Sequence, residues 1–85
     1  IISLRDVFYK DILALSKKYS ILEKVYEPKT NFVFIKTNAA NEIFNYLLDN
    51  SIAIRNMGNY IRITTGNEQE NAELLEKIEN ILKKL

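Results

Sequence analysis

This sequence contains no cysteine and no histidine. The absence of cysteine excludes a disulfide framework and a thiolate metal site, and the absence of histidine removes the usual general base and a common nitrogen ligand for metals. Catalysis by these residues alone would have to use carboxylates, lysine or tyrosine. We therefore predict no metal site in this chain.

An excess of charge of either sign is also missing. The chain has 12 basic and 11 acidic residues and a net charge of +1, a balance that gives no electrostatic basis for binding nucleic acid or an anionic membrane. No apolar run approaches the roughly 20 residues of a membrane span, and the amino terminus has no signal-peptide pattern. We expect neither nucleic acid nor membrane among its partners.

The chain has no initiator methionine, since it begins with Ile1 and Ile2. We interpret it as a piece of a longer protein. Its 85 residues, of which 47% are hydrophobic and 27% charged, are enough for one compact domain with a modest core. There is no internal repeat, low-complexity segment or interior linker, so residues 1–85 are predicted to form a single domain.

Apolar residues at spacings of three and four predict a first amphipathic helix from Leu4 to Tyr19. It begins behind a capping box of Ser3 and Asp6, and its apolar stripe comprises Leu4, Val7, Phe8, Ile12, Leu15 and Tyr19. A second helix is predicted behind an N-cap at Asn38, and it should stop near residues 49–51, where asparagine can take the left-handed conformation. Its buried stripe comprises Ala40, Ile43, Phe44, Leu47 and Leu48.

The third helix has the strongest signals. Asn67 and Glu70 form a cap and its reciprocal carboxylate, and the helix is predicted to run to the carboxyl terminus with one apolar face made of Leu74, Leu75, Ile78, Ile81, Leu82 and Leu85. The lysines nearby, Lys77, Lys83 and Lys84, are assigned to its polar side.

Three further stretches predict strands. Residues 20–29 form a short edge segment that ends in a bend at Pro28, and residues 31–36, NFVFIK, form an interior strand because both of its faces are apolar. Residues 52–55 and 60–64 form a hairpin around the turn at residues 56–59. The predicted fold class is α+β, with helices packed on one face of a small, mainly antiparallel sheet.

Arg55 and Arg62 stand within the two apolar runs of this hairpin. A buried arginine needs a partner, because its charge cannot be removed by deprotonation. If Arg55 pairs with Tyr60 across the turn, Ile54 and the other isoleucines share the core face, and both arginines share the opposite face. The two side chains would then start from diagonal positions, about 7 to 8 Å apart.

Three interpretations of this arginine pair remain open. Each guanidinium could pair with a carboxylate of the same domain, which is the ordinary arrangement on an exposed sheet face. The face could instead dock on another domain or subunit. It could also bind an anionic small molecule, for which the planar, bidentate guanidinium of arginine is a better donor than the ammonium of lysine.

This chain resembles the carboxyl-terminal small domain of fold-type I, pyridoxal-phosphate (PLP)-dependent aminotransferases. Three segments in this order carry the resemblance: NFVFIKTN, NEIFNYLLDNSIAIRNM and YIRITTGNEQENAELLEKI. Within that group it is most similar to histidinol-phosphate aminotransferase, and the similarity is strong from Asn31 onward. Two positions depart from the family pattern. Ser51 stands where the family usually has glycine, and Asn67 where it usually has threonine.

The resemblance implies that Arg62 binds the substrate's anionic group, the phosphate of an amino alcohol phosphate in one half-reaction and the α-carboxylate of glutamate in the other. It implies a substrate-binding role for Arg55 as well. It further implies a cytoplasmic homodimer in which a large domain of the same chain holds PLP, so this chain alone should bind no cofactor and catalyse no reaction.

Other functions are compatible with the same residues. Threonine-phosphate decarboxylases and aromatic aminotransferases share this small domain, and they differ mostly in residues outside it. A non-catalytic module that binds an amino acid or regulates another protein could use the same α+β layout, because a fold alone does not decide function.

Overall fold

A computed structural model describes residues 3–28 and 30–85. Ile1 and Ile2, and Lys29 at the end of the predicted edge segment, lie outside the described residues. The elements follow in the order α1 (Leu4–Lys18), β1 (Lys24–Tyr26), β2 (Phe32–Lys36), α2 (Ala40–Asp49), β3 (Arg55–Asn56), β4 (Tyr60–Thr64) and α3 (Glu68–Leu82). No helix in this part of the chain is long and apolar enough to cross a membrane.

The four strands form one antiparallel sheet in the order β1-β2-β4-β3. β1 is therefore an edge strand and β2 an interior strand, as predicted. Side chains alternate between the two sides of each strand, and the buried set consists of Val25, Val33, Ile35, Ile61 and Ile63. The residues that alternate with this set are all exposed or half-buried, so the helices cover one side of the sheet. The predicted α+β class is confirmed.

The core lies between this side of the sheet and the three helices. Phe8 of α1, Leu47 of α2 and Ile78 of α3 are each at most 1% exposed. The stripe of α1 is shorter than predicted, because Leu4 and Val7 in its first turn are 45% and 43% exposed. Both residues line a groove together with Leu75 of α3 and are only partly covered by it.

The caps of α1 and α2 differ from the sequence predictions. Ser3 Oγ accepts a hydrogen bond from Asp6 N at 3.1 Å, but the Asp6 carboxylate lies 3.5 Å from Arg5 Nε. The predicted N-cap at Asn38 is wrong, because the helix begins one residue later and Thr37 supplies the hydrogen bond. Thr37 Oγ1 accepts from Ala39 N at 3.1 Å and donates to the backbone oxygen of residue 21 at 2.7 Å, so it joins α2 to the loop before β1.

The end of α2 places a serine, not an asparagine, in the left-handed region. Asn50 has a φ of −99°, whereas Ser51 has a φ of 64°. A positive φ brings the Cβ of Ser51 close to the backbone, so this residue carries strain. A left-handed conformation costs a non-glycine residue about 1–2 kcal/mol.

Replacing Ser51 by glycine should increase the free energy of unfolding by about 0.5–1 kcal/mol, because relief of the strain exceeds the added flexibility of the unfolded chain. Thermal denaturation followed by circular dichroism measures this. Ser20→Gly is the matched control, since Ser20 is an exposed turn residue without a positive φ, and it should be neutral or destabilising. Equal effects of the two changes would contradict the strain at Ser51.

The turn from β4 into α3 is held by side-chain contacts with Gly66. Asn71 is only 7% exposed, and its amide accepts from Gly66 N at 2.8 Å and donates to Gly66 O at 3.2 Å. Asn67 and Glu70 form the predicted capping box in full. A Cβ at Gly66 would lie 2.7 Å from Glu70 Oε1, so the glycine makes room for the cap. The helix ends at Leu82, and Leu85 is 48% exposed rather than part of the apolar face.

The carboxyl end of α1 is joined to α3 by Glu79. Its Oε2 accepts from Lys18 Nζ at 2.8 Å and from Tyr19 OH at 3.1 Å. The hydrogen bond from Lys18 lowers the pKa of the Glu79 carboxyl the most, and the hydrogen bond from Tyr19 lowers it further. The hydrogen bond between Lys18 and Glu79 also raises the pKa of Lys18. Lys18 lies in the last turn of α1, where it complements the helix dipole, and it also links α1 to α3.

The Glu79 contacts should make stability depend on pH in the acid range. A depressed pKa contributes stability above the unfolded pKa, and that contribution is lost as pH falls through the folded value. Glu79→Gln should flatten this part of the stability curve with a small effect at neutral pH, because the pair is partly exposed. Urea denaturation between pH 3 and pH 7 measures it. Glu76→Gln is the control, and an unchanged acid slope in Glu79→Gln would contradict the role of these contacts.

Candidate functional site

The side of the sheet away from the helices is defined here as the open face. The strand register assigns to it Lys24, Tyr26, Phe32, Phe34, Lys36, Arg55, Tyr60, Arg62 and Thr64. None of these residues is buried, and none of the residues in the four strands is an aspartate or glutamate. The open face thus carries four cations together with four aromatic rings.

The two candidate arginines lie directly opposite each other on the open face. Arg55 of β3 pairs with Arg62 of β4, and Asn56 pairs with Ile61. The predicted pairing of Arg55 with Tyr60 is therefore wrong by two residues. The shared face is correct, because a shift of two positions keeps each side chain on the same side.

The register differs because the turn is tighter than expected. Met57 N donates to Tyr60 O at 2.8 Å, and Gly58 has a φ of 87°. A positive φ at the first of two central residues fits a type II′ hairpin turn. On the β3 side, cross-strand pairing with β4 extends only over Arg55 and Asn56. β3 is therefore two residues long instead of running from Ile52.

Arg62 is held against the sheet. Its guanidinium carbon lies 4.3 Å from the centre of the Phe32 ring, a stacking distance at which the ring attracts the cation. Its Nε is buried and has no hydrogen-bond partner within the described residues. Packing therefore fixes the side chain and leaves its hydrogen-bonding capacity unused.

Neither arginine has a carboxylate partner in the part of the chain that the structure describes. The ion pairs found there join Arg5 to Asp6 and Lys18 to Glu79, and no described acceptor takes a hydrogen bond from the guanidinium of Arg55 or Arg62. The interpretation that both arginines pair within the domain thus has no support. Like charges directly opposite in a sheet repel, and an anion beside them would convert this repulsion into attraction.

The lysines described by the structure do not fit covalent attachment of PLP. A lysine that forms a Schiff base needs a lowered pKa, produced by burial or by a neighbouring cation. Lys36 and Lys77 are half-buried and the other described lysines are exposed. At Lys18 the contact with Glu79 raises the pKa, which is the opposite of what a Schiff-base lysine needs.

Sequence patterns did not identify the neighbours of the arginines. Alternation along β2 placed Phe32 and Phe34 on one side, but which strands lie beside β2 was unknown. The pairing of β2 with β4 brings Phe34 opposite Arg62, and the pairing of β1 with β2 brings Tyr26 opposite Phe34.

No protein-family model matches this chain. One similar protein is the histidinol-phosphate aminotransferase of Clostridium kluyveri, which is 35% identical over a 65-residue alignment that covers 71% of this chain and 18% of that protein. Another is the histidinol-phosphate aminotransferase of Staphylococcus aureus, which is 30% identical over a 79-residue alignment that covers 91% of this chain and 22% of that protein. The chain thus spans about a fifth of the length of these curated relatives.

The fold is also similar to that of a solved structure. A crystal structure of the histidinol-phosphate aminotransferase from Clostridium acetobutylicum matches with a TM-score of 0.83 over 98% of this chain and 26% of that one, at 20% identity. The resemblance identified in the sequence is therefore confirmed. Over most of its length this chain is similar to a part of histidinol-phosphate aminotransferases.

Proposed function

We propose that this chain is the carboxyl-terminal small domain of a PLP-dependent aminotransferase, most like histidinol-phosphate aminotransferase. In this proposal Arg62 and Arg55 bind anionic groups of the substrate, which are the phosphate of an amino alcohol phosphate and the carboxylate of glutamate or 2-oxoglutarate. The observation that carries it is the cross-strand pair of arginines without a carboxylate partner in the described residues.

The stacked geometry suits this role. A guanidinium held on a ring loses little side-chain entropy when an anion arrives, and its planar fork can bind two oxygens of phosphate or carboxylate at once. Because Arg62 lies on an interior strand of the sheet, it would give the reacting amine a fixed distance from the anion. Positioning of this kind is a large part of catalysis.

The remainder of the enzyme would supply the chemistry. PLP, when bound there, acts as the electron sink for amino-group transfer, and the residues described here would bind and orient the substrate and exclude water as the domain closes. We propose that the large domain holds the cofactor and forms most of a homodimer interface. The docking interpretation of the open face is compatible with this arrangement, since the large domain would lie over the bound anion.

Inorganic phosphate should stabilise the 85-residue chain if the arginines form an anion site. At ten times its dissociation constant, phosphate should increase the free energy of unfolding by about 1.4 kcal/mol and the melting temperature by about 5–10 °C. Differential scanning calorimetry at constant ionic strength, with chloride as the reference anion, measures this. The double variant Arg55→Gln/Arg62→Gln should lose the stabilisation, and Arg5→Gln should retain it. A wild-type response equal to that of the double variant would refute the site.

A further inference from the structure

The burial of one nitrogen of Arg62 limits how an anion can reach this side chain. A guanidinium offers two bidentate edges, one formed by the two terminal Nη atoms and one formed by Nε together with an Nη. The Nε atom of Arg62 is buried and has no hydrogen-bond partner within the described residues, whereas its Nη atoms are not closed off in this way. An anion that approaches from the open face therefore meets the edge formed by the two Nη atoms.

Phe32 holds the guanidinium in this orientation. The Arg62 guanidinium carbon lies 4.3 Å from the centre of the Phe32 ring, although the direct cross-strand partner of Arg62 is Phe34 and that of Phe32 is Thr64. Diagonal neighbours of this kind are within reach of a long side chain. Arg62 therefore extends diagonally across the sheet, which lays its side chain, including Nε, along the strands.

The same contact directs Arg62 away from Arg55. Phe32 lies on β2 and Arg55 on β3, which flank β4 on opposite sides. Like charges directly opposite in a sheet repel, and attraction to the face of the Phe32 ring offsets part of this cost. Without the ring, the side chain of Arg62 would have to be ordered when the anion arrives, and that ordering would weaken binding.

We infer that Phe32 is a positioning residue, which presents Arg62 to the anion through its two Nη atoms and keeps Nε out of the contact. The inference rests on the proposed function and adds the geometry of recognition. Two oxygens of one phosphate or carboxylate lie along the Nη edge, in the plane of the guanidinium. Because the guanidinium rests on the ring of Phe32, the ring fixes the direction from which the anion approaches.

NMR spectra of the isotope-labelled 85-residue chain test this contact atom by atom. The arginines of the chain are Arg5, Arg55 and Arg62, and the spectra of Arg5→Gln and Arg55→Gln assign their Nε–H signals. The Nε–H of Arg62 should exchange with water about tenfold more slowly than that of Arg55, because Arg55 is exposed. Inorganic phosphate should shift the Nη signals of Arg62. A downfield shift of its Nε–H signal would show that Nε binds the anion and would overturn the inference.

Variants of Phe32 test the positioning role. Phe32→Leu should make the Nε–H of Arg62 exchange as fast as that of Arg55, and it should weaken phosphate binding about two- to fivefold, the effect of losing one cation–π contact. Phe32→Tyr keeps the ring and should retain both properties. Phe34→Leu is the matched control, because Phe34 is the direct partner of Arg62 but does not carry the stack, and it should leave both unchanged.

The outcomes separate the positioning role from the proposed function. Equal phosphate affinity in the wild type and in Phe32→Leu would overturn the role of Phe32 and leave the arginine site standing. Wild-type Nη signals that do not respond to phosphate would overturn the arginine site itself, and the positioning role with it. Circular dichroism shows whether each variant folds, and the wild-type titration tests the Nη contact independently of every variant.

Discussion

Under the proposed aminotransferase function, replacing Arg62 by alanine in a full-length protein that contains this domain should lower kcat/KM by about ten- to a hundredfold in both half-reactions. Hydrogen bonds to a charged group contribute about 1.5–3 kcal/mol, and each 1.4 kcal/mol is a factor of ten. Both half-reactions are affected because phosphate and carboxylate are proposed to meet the same guanidinium. Steady-state kinetics with histidinol phosphate and 2-oxoglutarate measures the loss.

Two further changes separate charge from geometry. Arg62→Lys keeps the positive charge but loses the planar fork and its stacking on Phe32, so it should recover only part of the activity. Arg55→Ala should have a smaller effect than Arg62→Ala, because Arg55 lies on the short edge strand and is exposed. Arg5→Ala is the matched control on α1. Full activity in Arg62→Ala would refute the binding role, and loss in Arg5→Ala would indicate a general effect of removing an arginine.

Ile35→Ala should lower the free energy of unfolding by about 2–5 kcal/mol, the usual cost of truncating a buried isoleucine. Ile35 is 0% exposed and lies on interior strand β2, between Val25 of β1 and Ile61 of β4. A domain of this size has a total stability of roughly 5–15 kcal/mol, so the variant should lose a large fraction of it. Urea denaturation at 25 °C measures the difference.

Phe34→Ala is the matched control for Ile35→Ala. Phe34 is the preceding residue on the same strand and points to the open face, where it is half-buried. Despite the larger side chain removed, it should cost less than Ile35→Ala, because less of its surface leaves water on folding. A greater cost for Phe34→Ala would mean that the open face is packed against something in solution, and would contradict the one-sided sheet.

Local sequence signals predicted the helices and most strands. A helix is stabilised by contacts within a few residues, so the spacing of Phe8 and Ile12 was enough to find α1, and Asn67 with Glu70 located the start of α3. The second helix was found in the same way. Its cap was not, because Thr37 works through a partner in the loop before β1, sixteen residues earlier.

Local sequence signals predicted the hairpin but not the register of its two strands. The turn residues at 56–59 predicted a hairpin, but its register depends on which of them form the two-residue turn, and the sequence is compatible with more than one choice. The structure selects Gly58 as the first central residue, which shifts Arg55 from Tyr60 to Arg62. Because side chains alternate with a period of two, a shift of two residues changes the cross-strand partners but leaves each side chain on the same side of the sheet.

The sequence by itself determined the α+β class, the three helices, the similarity to aminotransferases and the common face of Arg55 and Arg62. Each of these depends on the order and periodicity of residues along the chain. Only the tertiary structure decided that the two arginines lie directly opposite each other and that Arg62 stacks on Phe32. Those facts depend on the pairing of β2 with β4, a long-range contact that spacing along the chain does not specify.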